Sequence, residues 1–114
     1  MSCSGAGSSV ADELPFTSIV WFKIKPGMNA EFECAFLEAG MLSRPSAIDG
    51  YLGAHLHHSL MHEDEYYVLG SWTTEESYAA WQEVASDGAP VDAIKRMSAA
   101  ILEHRPNVLM RRID

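Results

Sequence analysis

The sequence has few basic residues and no cluster of them. Its 114 residues include 8 Lys and Arg against 16 Asp and Glu, which gives a net charge of -8. A surface with this charge repels phosphate backbones and anionic lipid, and no Lys/Arg-rich run offsets the repulsion locally. We therefore expect neither nucleic acid nor a membrane surface as a partner.

Long apolar runs are absent and cysteines are scarce. No apolar stretch approaches the roughly 20 residues that a membrane-spanning helix needs. Cys3 and Cys34 do not have the spacing of a metal site, and their separation predicts free thiols in a reducing compartment. The start, MSCSGAGSSVADEL, lacks the basic and apolar regions of a secretory signal. We expect a flexible tail over residues 1–14 and a single cytoplasmic domain over residues 15–114.

The first half of the domain shows strand and helix patterns in turn. FTSIVWFKIK (16–25) is rich in β-branched and aromatic residues and is followed by Pro-Gly, which predicts a strand. The run from Asn29 has apolar residues at helical spacing, which predicts an amphipathic helix with a stripe of Phe32, Ala35, Phe36, Ala39 and Leu42. GYLGAHLHHS (50–59) and EYYVLGSW (65–72) then predict an antiparallel hairpin.

The second half predicts two more helices and a last strand. Thr73 and Glu76 have the spacing of a capping box, so a helix should begin there. A third helix is predicted from Val91 to the Arg105-Pro106 pair, followed by the strand NVLMRRI. This arrangement places His104 at a helix end, where an imidazole interacts favourably with the helix dipole.

The element order is β-α-β-β-α-(α)-β, which predicts a ferredoxin-like α+β fold with a four-stranded antiparallel sheet and helices on one face. The first strand carries large apolar side chains on both of its faces, Ile19 and Trp21 on one and Val20 and Phe22 on the other. The face that the helices leave uncovered therefore needs a partner. A second copy of the chain in a two-fold homodimer is the simplest solution.

Five segments together resemble the antibiotic biosynthesis monooxygenase family of small dimeric α/β-barrel proteins: KIKPG, AEFECAFLEA, GYLGAHLH, DEYYVLGSW and TTEESYAAW. The resemblance spans about residues 17–86. Enzymes of this family oxidise quinols or aromatic polyketides with O₂ and no added cofactor, and a related branch binds and degrades haem. The resemblance implies a dimeric barrel that takes a small aromatic substrate and O₂ and requires no cofactor.

The family's functional residues are matched in part. Quinone-forming members use a tryptophan at a strand end, an asparagine four residues before it and a tyrosine six residues after it. Trp72 and Tyr78 match, but Val68 holds the asparagine position. The haem-degrading branch uses a helical tryptophan, matched by Trp81, but its strand asparagine is missing and Val91 stands near the position of its iron-binding histidine, so haem is disfavoured.

Oxygenation without a cofactor requires a substrate that is deprotonated in the site, since a phenolate reduces O₂ more readily than a phenol. Histidine is the side chain best suited to accept that proton near neutrality. His55 and His57 alternate along the predicted hairpin strand and are the candidate bases, with His58 on the opposite face. The hairpin register is not determined by the sequence, so the face turned to the helices is open. The H-x-H spacing lacks a third ligand, and no metal site is predicted.

Trp72, Tyr78 and Trp81 are the candidate cavity walls, and Gln82 and Val68 are the candidate substrate contacts. Each has a structural alternative. The indoles are explained equally well by core packing, since a buried aromatic side chain contributes roughly 5 kcal/mol before entropy costs. Gln82 can reach solvent or a carbonyl group, and His55 and His57 can have a structural role at the sheet or dimer face.

The resulting hypothesis is a monooxygenase that oxidises a quinol-like or polyphenolic compound with O₂. The alternative is a non-catalytic ligand-binding or stress-related barrel that retains the shape of the pocket, which the valine at position 68 favours.

Overall fold

A computed structural model describes residues 15–85 and 87–114. The predicted tail, with Cys3, lies outside the described residues. Within them the elements are, in chain order, strand β1 (Phe16–Ile24), helix α1 (Asn29–Glu38), a short 3-10 helix (Arg44–Ala47), strands β2 (Tyr51–His58) and β3 (Glu65–Trp72), helices α2 (Glu75–Val84) and α3 (Val91–Ala100), and strand β4 (Ile101–Arg111). In this described part, no helix has the length and apolarity needed to cross a bilayer.

The sheet has the order β2-β3-β1-β4, and each neighbouring pair is antiparallel. Val20 of β1 lies opposite Val68 of β3, and Val68 lies opposite Leu56 of β2. This order confirms the predicted ferredoxin-like α+β fold with four antiparallel strands. The dimeric barrel stays a prediction.

The start of α2 differs by one residue from the predicted capping box. The Thr74 hydroxyl, not that of Thr73, accepts the Ser77 amide N–H at 3.1 Å. The Thr73 N–H instead donates to the Gly50 carbonyl at 2.8 Å, which ties the start of β2 to the end of β3. The N-cap of α2 is therefore Thr74. The predicted capping box needs the Thr73 N–H as the donor to Glu76, and this N–H is already bonded to Gly50.

The last helix ends earlier than predicted. α3 stops at Ala100, and β4 begins at once with Ile101. Glu103 pairs with Lys23, and His104 pairs with Phe22 of β1. Pairing with β1 therefore outweighs the local helical pattern, and the prediction that His104 lies at a helix end is wrong. The register shifts by one residue between the Ile19–Val108 and Trp21–Arg105 pairs, as in a β-bulge on an edge strand.

The helices cover one face of the sheet. α1 packs against α3, and α1 buries Phe32, Ala35 and Phe36 of the predicted stripe. These side chains join a core cluster with residues from the sheet and from α3, namely Phe22, Ile24, Tyr66, Met97 and Ala100. Cys34 lies on the outer side of α1 as an exposed free thiol.

The other face of the sheet is not covered by any element of the described chain. The register places Trp21 and Tyr67 on this face, together with Ile19, Leu69, Val108 and Met110. Arg105 of β4 lies over the Trp21 ring, 4.7 Å from its centroid. Val108 is 53% exposed and Met110 48% exposed. The two-sided apolar character of β1 that the sequence predicted is therefore present.

Candidate functional site

A cavity of about 490 Å³ lies between the helices and the sheet. Helix α2 makes few close contacts with the sheet, so the space beneath it is not filled. The cavity is lined by Ser18, Val20, Phe22, Phe36, Met41, Pro45, Tyr51, Ala54, Val68, Gly70, Trp72, Tyr78, Trp81, Gln82, Ala85, Met97, Ser98, Ile101 and His104. Its volume is in the range of small-molecule pockets, about 300–1,000 Å³.

The sheet side of the cavity is built around Trp72. Its indole N–H donates to the Ser18 hydroxyl at 3.0 Å, and both side chains are buried. Gly70 makes this contact possible, because a Cβ there would lie 2.9 Å from the indole nitrogen and 3.1 Å from the Ser18 oxygen. The bond fixes the edge of the ring and satisfies a buried donor, so the indole forms a rigid wall.

The helix side is formed by α2. Tyr78 is 6% exposed and Trp81 is 9% exposed, one turn apart on the inner face. Gln82 Nε2 donates to the Tyr78 hydroxyl at 3.1 Å. Burial raises the pKa of Tyr78, against a smaller lowering by Gln82. The phenol therefore remains a neutral hydrogen-bonding group at the cavity.

Trp72 connects the two sides. Its ring centroid lies 5.4 Å from that of Tyr78 and 5.0 Å from that of Tyr51, both in inclined arrangements. The Tyr51 hydroxyl donates to the Leu42 carbonyl at 2.9 Å, away from the indole. Both tyrosine rings meet the Trp72 ring at a steep angle and do not stack face to face on it. Part of the surface of these rings is therefore free to contact a ligand.

Arg44 holds the far end of α2. Its guanidinium donates to the carbonyls of Val84, the last residue of α2, at 3.0 Å, of Ala85, the C-cap, at 2.8 Å, and of Asp87 at 2.6 Å. It also donates to the Ala39 carbonyl at the end of α1, at 3.1 Å. The guanidinium carbon lies 5.2 Å from the centroid of the Trp81 ring. The Arg44 side chain therefore connects the C-terminal ends of α1 and α2, and it also packs on the ring of Trp81, which lines the cavity.

The histidines are divided between the two faces of the sheet. Ala54 lines the cavity and Leu56 packs on the core, so the strand alternation turns His55 and His57 to the uncovered face, where both are exposed. Their ring centroids are 6.4 Å apart. His58 is on the helix side but stacks on Tyr66, 4.3 Å between centroids, outside the cavity. The structure does not bring the two candidate bases to the cavity of their own chain.

His104 is the histidine that the structure brings to the cavity. Strand β4 places it opposite Phe22, and the two rings stack at 5.8 Å with an angle of 20° between their planes. The side chain is exposed, as are Gln82 and Ser98, so these three mark the side of the cavity that meets solvent. Within the part of the chain that is described, no three His, Cys, Asp or Glu side chains form a cluster able to hold a metal ion.

The structure thus gathers Val68, Trp72, Tyr78, Trp81 and Gln82 around one cavity and separates His55 and His57 from it. Sequence reasoning missed the supporting residues Ser18, Arg44 and Tyr51, and it missed His104. Ser18 had a detectable signal, since it is a lone hydroxyl residue in the alternating apolar series of Phe16, Val20 and Phe22. No pattern in the sequence indicates Arg44 or His104, because their roles depend on contacts between elements that are distant in the sequence.

The fold and the cavity define a small ferredoxin-like domain with an aromatic-walled pocket between α2 and the sheet. A model of the antibiotic biosynthesis monooxygenase family matches residues 15–86. The chain belongs to that family. No curated protein matches the sequence.

Solved structures with the same fold have low sequence identity to this chain. A protein from Nitrosomonas europaea has a TM-score of 0.70 at 13% identity, over 87% of this chain and 90% of its own. A protein from Pseudomonas aeruginosa has a TM-score of 0.67 at 17% identity, over 90% and 98%. SnoaB from Streptomyces nogalater, a cofactor-independent oxygenase, has a TM-score of 0.60 at 19% identity, over 88% and 94%. These similarities show the fold.

Proposed function

We propose that the chain is a cofactor-independent monooxygenase that oxidises a quinol-like or polyphenolic compound with O₂. The observation that supports this most is the cavity itself: about 490 Å³, with the rings of Trp72, Tyr78 and Trp81 around it and the imidazole of His104 at its side. Flat rings on both sides suit a planar aromatic ligand. Family membership and the oxygenase activity named for SnoaB point in the same direction.

The chemistry begins with a proton transfer. His104 takes the phenolic proton of the substrate, as a positioned imidazole does in general base catalysis. The phenolate gives one electron to O₂, which forms a phenoxyl radical and superoxide side by side. The two radicals combine at a ring carbon ortho or para to the oxygen that carries a hydrogen, and the peroxide takes up the proton held by His104. Loss of the hydrogen on that carbon and cleavage of the O–O bond release water, so that phenol and O₂ become quinone and water.

The other lining residues hold the substrate. The Tyr78 hydroxyl and the Gln82 amide, already paired at 3.1 Å, form a polar edge that can bind a ring oxygen. The apolar walls limit water around the radical pair, which reduces side reactions. Val68 contributes an apolar contact where quinone-forming relatives carry an asparagine, so Tyr78 and Gln82 take over the handling of the substrate oxygen.

The direct test is O₂ consumption. The protein is loaded anaerobically with a panel of hydroquinones, naphthols and anthrones and then mixed with air, and O₂ uptake and quinone absorbance are followed. We expect protein-dependent uptake with at least one compound. Absence of uptake across a broad panel would count against an oxygenase.

Histidine variants identify the base. We expect His104→Gln to reduce turnover by about 10²- to 10⁴-fold, with binding of the ring nearly unchanged. His57→Gln is the matched control, because His57 lies on the opposite face of the sheet. Equal losses in the two variants would contradict the assignment to His104.

A non-catalytic ligand-binding role is the second candidate, and Val68 is the observation that favours it. If ligands bind but no member of the panel is turned over, Val68→Asn becomes the decisive variant. Appearance of turnover in Val68→Asn would show that the wild-type pocket is a binding module lacking one catalytic group.

The proposal also includes a cytoplasmic homodimer formed through the uncovered face of the sheet. The side chains of Trp21, Tyr67 and Leu69, with Val108 and Met110 beside them, supply the apolar surface. Sedimentation equilibrium should give twice the chain mass of 12.6 kDa.

A further inference from the structure

We propose that the cavity selects aromatic compounds that carry no ionised substituent, and that it rejects ring systems bearing a carboxylate, sulfonate or phosphate. The proposal narrows the substrate class of the proposed function and rests on that function for the reaction. Its evidence is the charge distribution around the cavity, and its test is binding, which is independent of turnover.

The described residues of the lining provide polar groups but no permanent cation to hold an anion. Among the described residues, those that line the cavity include no lysine and no arginine. The lining side chains with polar groups carry hydroxyls, an amide, an imidazole and two indole N–H groups, namely Ser18, Tyr51, Trp72, Tyr78, Trp81, Gln82, Ser98 and His104. An anionic substituent taken into this space would lose its water without gaining a countercharge, which is costly.

Arg44 is the cation behind the cavity wall, and the four N–H donors on its two terminal nitrogens are already used. Both terminal nitrogens of its guanidinium donate to backbone carbonyls, Nη1 to Ala39 and Ala85 and Nη2 to Val84 and Asp87. The indole of Trp81 lies between this group and the cavity side of α2. Turning Arg44 toward a ligand would break all four bonds, so its charge is not available to the cavity.

The helices above the cavity add negative potential. α2 carries Glu75, Glu76 and Glu83 and has no basic residue. On α3, Arg96 is held by the carboxylates of Glu38 and Asp92. Lys95 is exposed and does not line the cavity. With a net charge of -8 over the chain, an approaching anion is repelled before it reaches the mouth.

The proposed reaction gives a chemical reason for this selectivity. A neutral phenol that transfers its proton to His104 creates one phenolate and one imidazolium, which neutralise each other. A substrate that brings a second anionic group would leave one negative charge uncompensated beside the faces of aromatic rings, which are themselves electronegative. The imidazolium arises from the substrate's own proton, so the occupied cavity stays without net charge only when the substrate enters uncharged.

Two aromatic probes, one uncharged and one ionised, test whether the cavity rejects an anionic substituent. 1-Naphthol and 1-naphthoate have the same ring system and carry an uncharged hydroxyl and an ionised carboxylate, and 1-naphthamide is the uncharged control for the size of the carboxylate. Binding of each to the full chain is measured by calorimetry at pH 7.5. We expect 1-naphthol to bind and 1-naphthoate to bind at least about tenfold more weakly. Equal affinity for the two probes would overturn the inference and leave the proposed function standing.

A variant that adds the missing cation provides the reciprocal test. Ser98→Lys places an ammonium group on α3 at the cavity, and Ala99→Lys adds the same charge at the next exposed position, which does not line the cavity. We expect Ser98→Lys to improve 1-naphthoate binding by about tenfold while Ala99→Lys leaves it nearly unchanged. Equal improvement in both variants would show that overall charge decides, and the inference about the lining would be wrong.

The binding data and the O₂ data separate the two proposals. Selective binding of 1-naphthol without turnover of any phenol would support the inference and contradict the oxygenase. Turnover of a carboxylated phenol at the same kcat/KM as its uncharged counterpart would support the oxygenase and contradict the inference. Failure of both probes to bind would contradict the inference as well, because the cavity would then not be a site for small aromatic rings.

Discussion

Two aromatic clusters on the same side of the sheet are used in different ways. The first, which we call the sealed cluster, consists of Phe22, Phe32, Phe36 and Tyr66 and packs between the sheet and the helices α1 and α3, with neighbouring rings 5.0–6.1 Å apart. Phe22 and Phe36 also line one end of the cavity, whereas Phe32 and Tyr66 do not. The cavity cluster, Phe16, Trp72, Tyr78 and Trp81, lies beneath α2, and its ring spacings are similar, 5.4 and 6.3 Å. The difference lies in the polar contacts of the rings. In the cavity cluster, hydrogen bonds hold Trp72 and Tyr78 and a guanidinium lies over the face of Trp81, so the rings keep their positions without filling the space between them. In the sealed cluster, Tyr66 alone has a side-chain hydrogen bond.

The largest expected effect is a difference between the two clusters in their contribution to the free energy of unfolding. We expect Phe32→Ala to lower the free energy of unfolding by about 3–5 kcal/mol, because Phe32 is fully buried against three rings and its removal leaves a void. Trp81→Ala should cost less, since one side of its ring faces an existing cavity and has fewer contacts to lose. Urea unfolding measures both.

Ligand binding should show the opposite order. Trp81→Ala should abolish 1-naphthol binding, while Phe32→Ala should retain it under conditions where the variant is folded, because Phe32 does not line the cavity. If the two variants lost equal stability and equal binding, the distinction between the clusters would not hold.

The second effect concerns Arg44, which has no counterpart in the sealed cluster. We expect Arg44→Met to cost about 2–3 kcal/mol of stability, because the carbonyls of Ala39, Val84 and Ala85 lose a charged donor. Trp81 also loses its support, so the near-ultraviolet circular dichroism should weaken along with 1-naphthol binding. Arg44→Lys retains the charge but not the fork of donors, and it should recover only part of each loss. A lysine variant indistinguishable from wild type would show that charge alone is sufficient.

Local patterns in the sequence were sufficient to predict most of the fold. β1, α1 and the β2–β3 hairpin follow from alternation, helical spacing and turn residues within each segment, and the structure places the three strands within one or two residues of the predicted bounds. α1 begins at Asn29 as predicted but ends at Glu38, before the predicted stripe reaches Leu42. β4 could not be bounded in this way. Residues 101–105 continue a helical pattern, but they pair with β1, and that pairing depends on a strand about 80 residues earlier.

The candidate site was predictable in its residue types but not in its geometry. Trp72, Tyr78 and Trp81 were identified through the resemblance to the family, and the structure gathers them around one cavity. The histidines required the hairpin register, which a one-residue slip reverses. The empty space itself follows from the position of α2, which Arg44 fixes through carbonyls on two helices. The position of α2 depends on contacts between distant segments, so it cannot be predicted from any one segment of the sequence.

The third effect is a coupling within the cavity cluster. Ser18→Ala should cost about 1–2 kcal/mol, because the indole N–H of Trp72 would be left buried without an acceptor. In a Trp72→Phe background there is no donor to satisfy, so Ser18→Ala should cost almost nothing. A double-mutant cycle of urea unfolding gives the coupling energy directly. Equal costs in the two backgrounds would mean that the hydrogen bond contributes little and that packing alone holds the indole.

The smallest effect is at the polar edge of the sealed cluster. Burial, and then a hydrogen bond to the Glu33 carboxylate, raise the pKa of Tyr66 above its ordinary value of about 10. The unfolded chain therefore loses this proton at lower pH than the folded chain does. The stability that the neutral phenol contributes is complete below about pH 10 and declines as the pH rises further, by at most about 1.4 kcal/mol per pH unit.

Tyr66→Phe should flatten the alkaline decline of the unfolding free energy, measured by urea titrations at pH 8, 10 and 11. Glu33→Gln is the matched control, and it should retain most of the decline because burial is the larger cause of the shift. If Glu33→Gln flattened the decline as much as Tyr66→Phe, the carboxylate would be the main cause. The sealed cluster would then also depend on a polar contact at its edge, and the contrast with the cavity cluster would be one of degree.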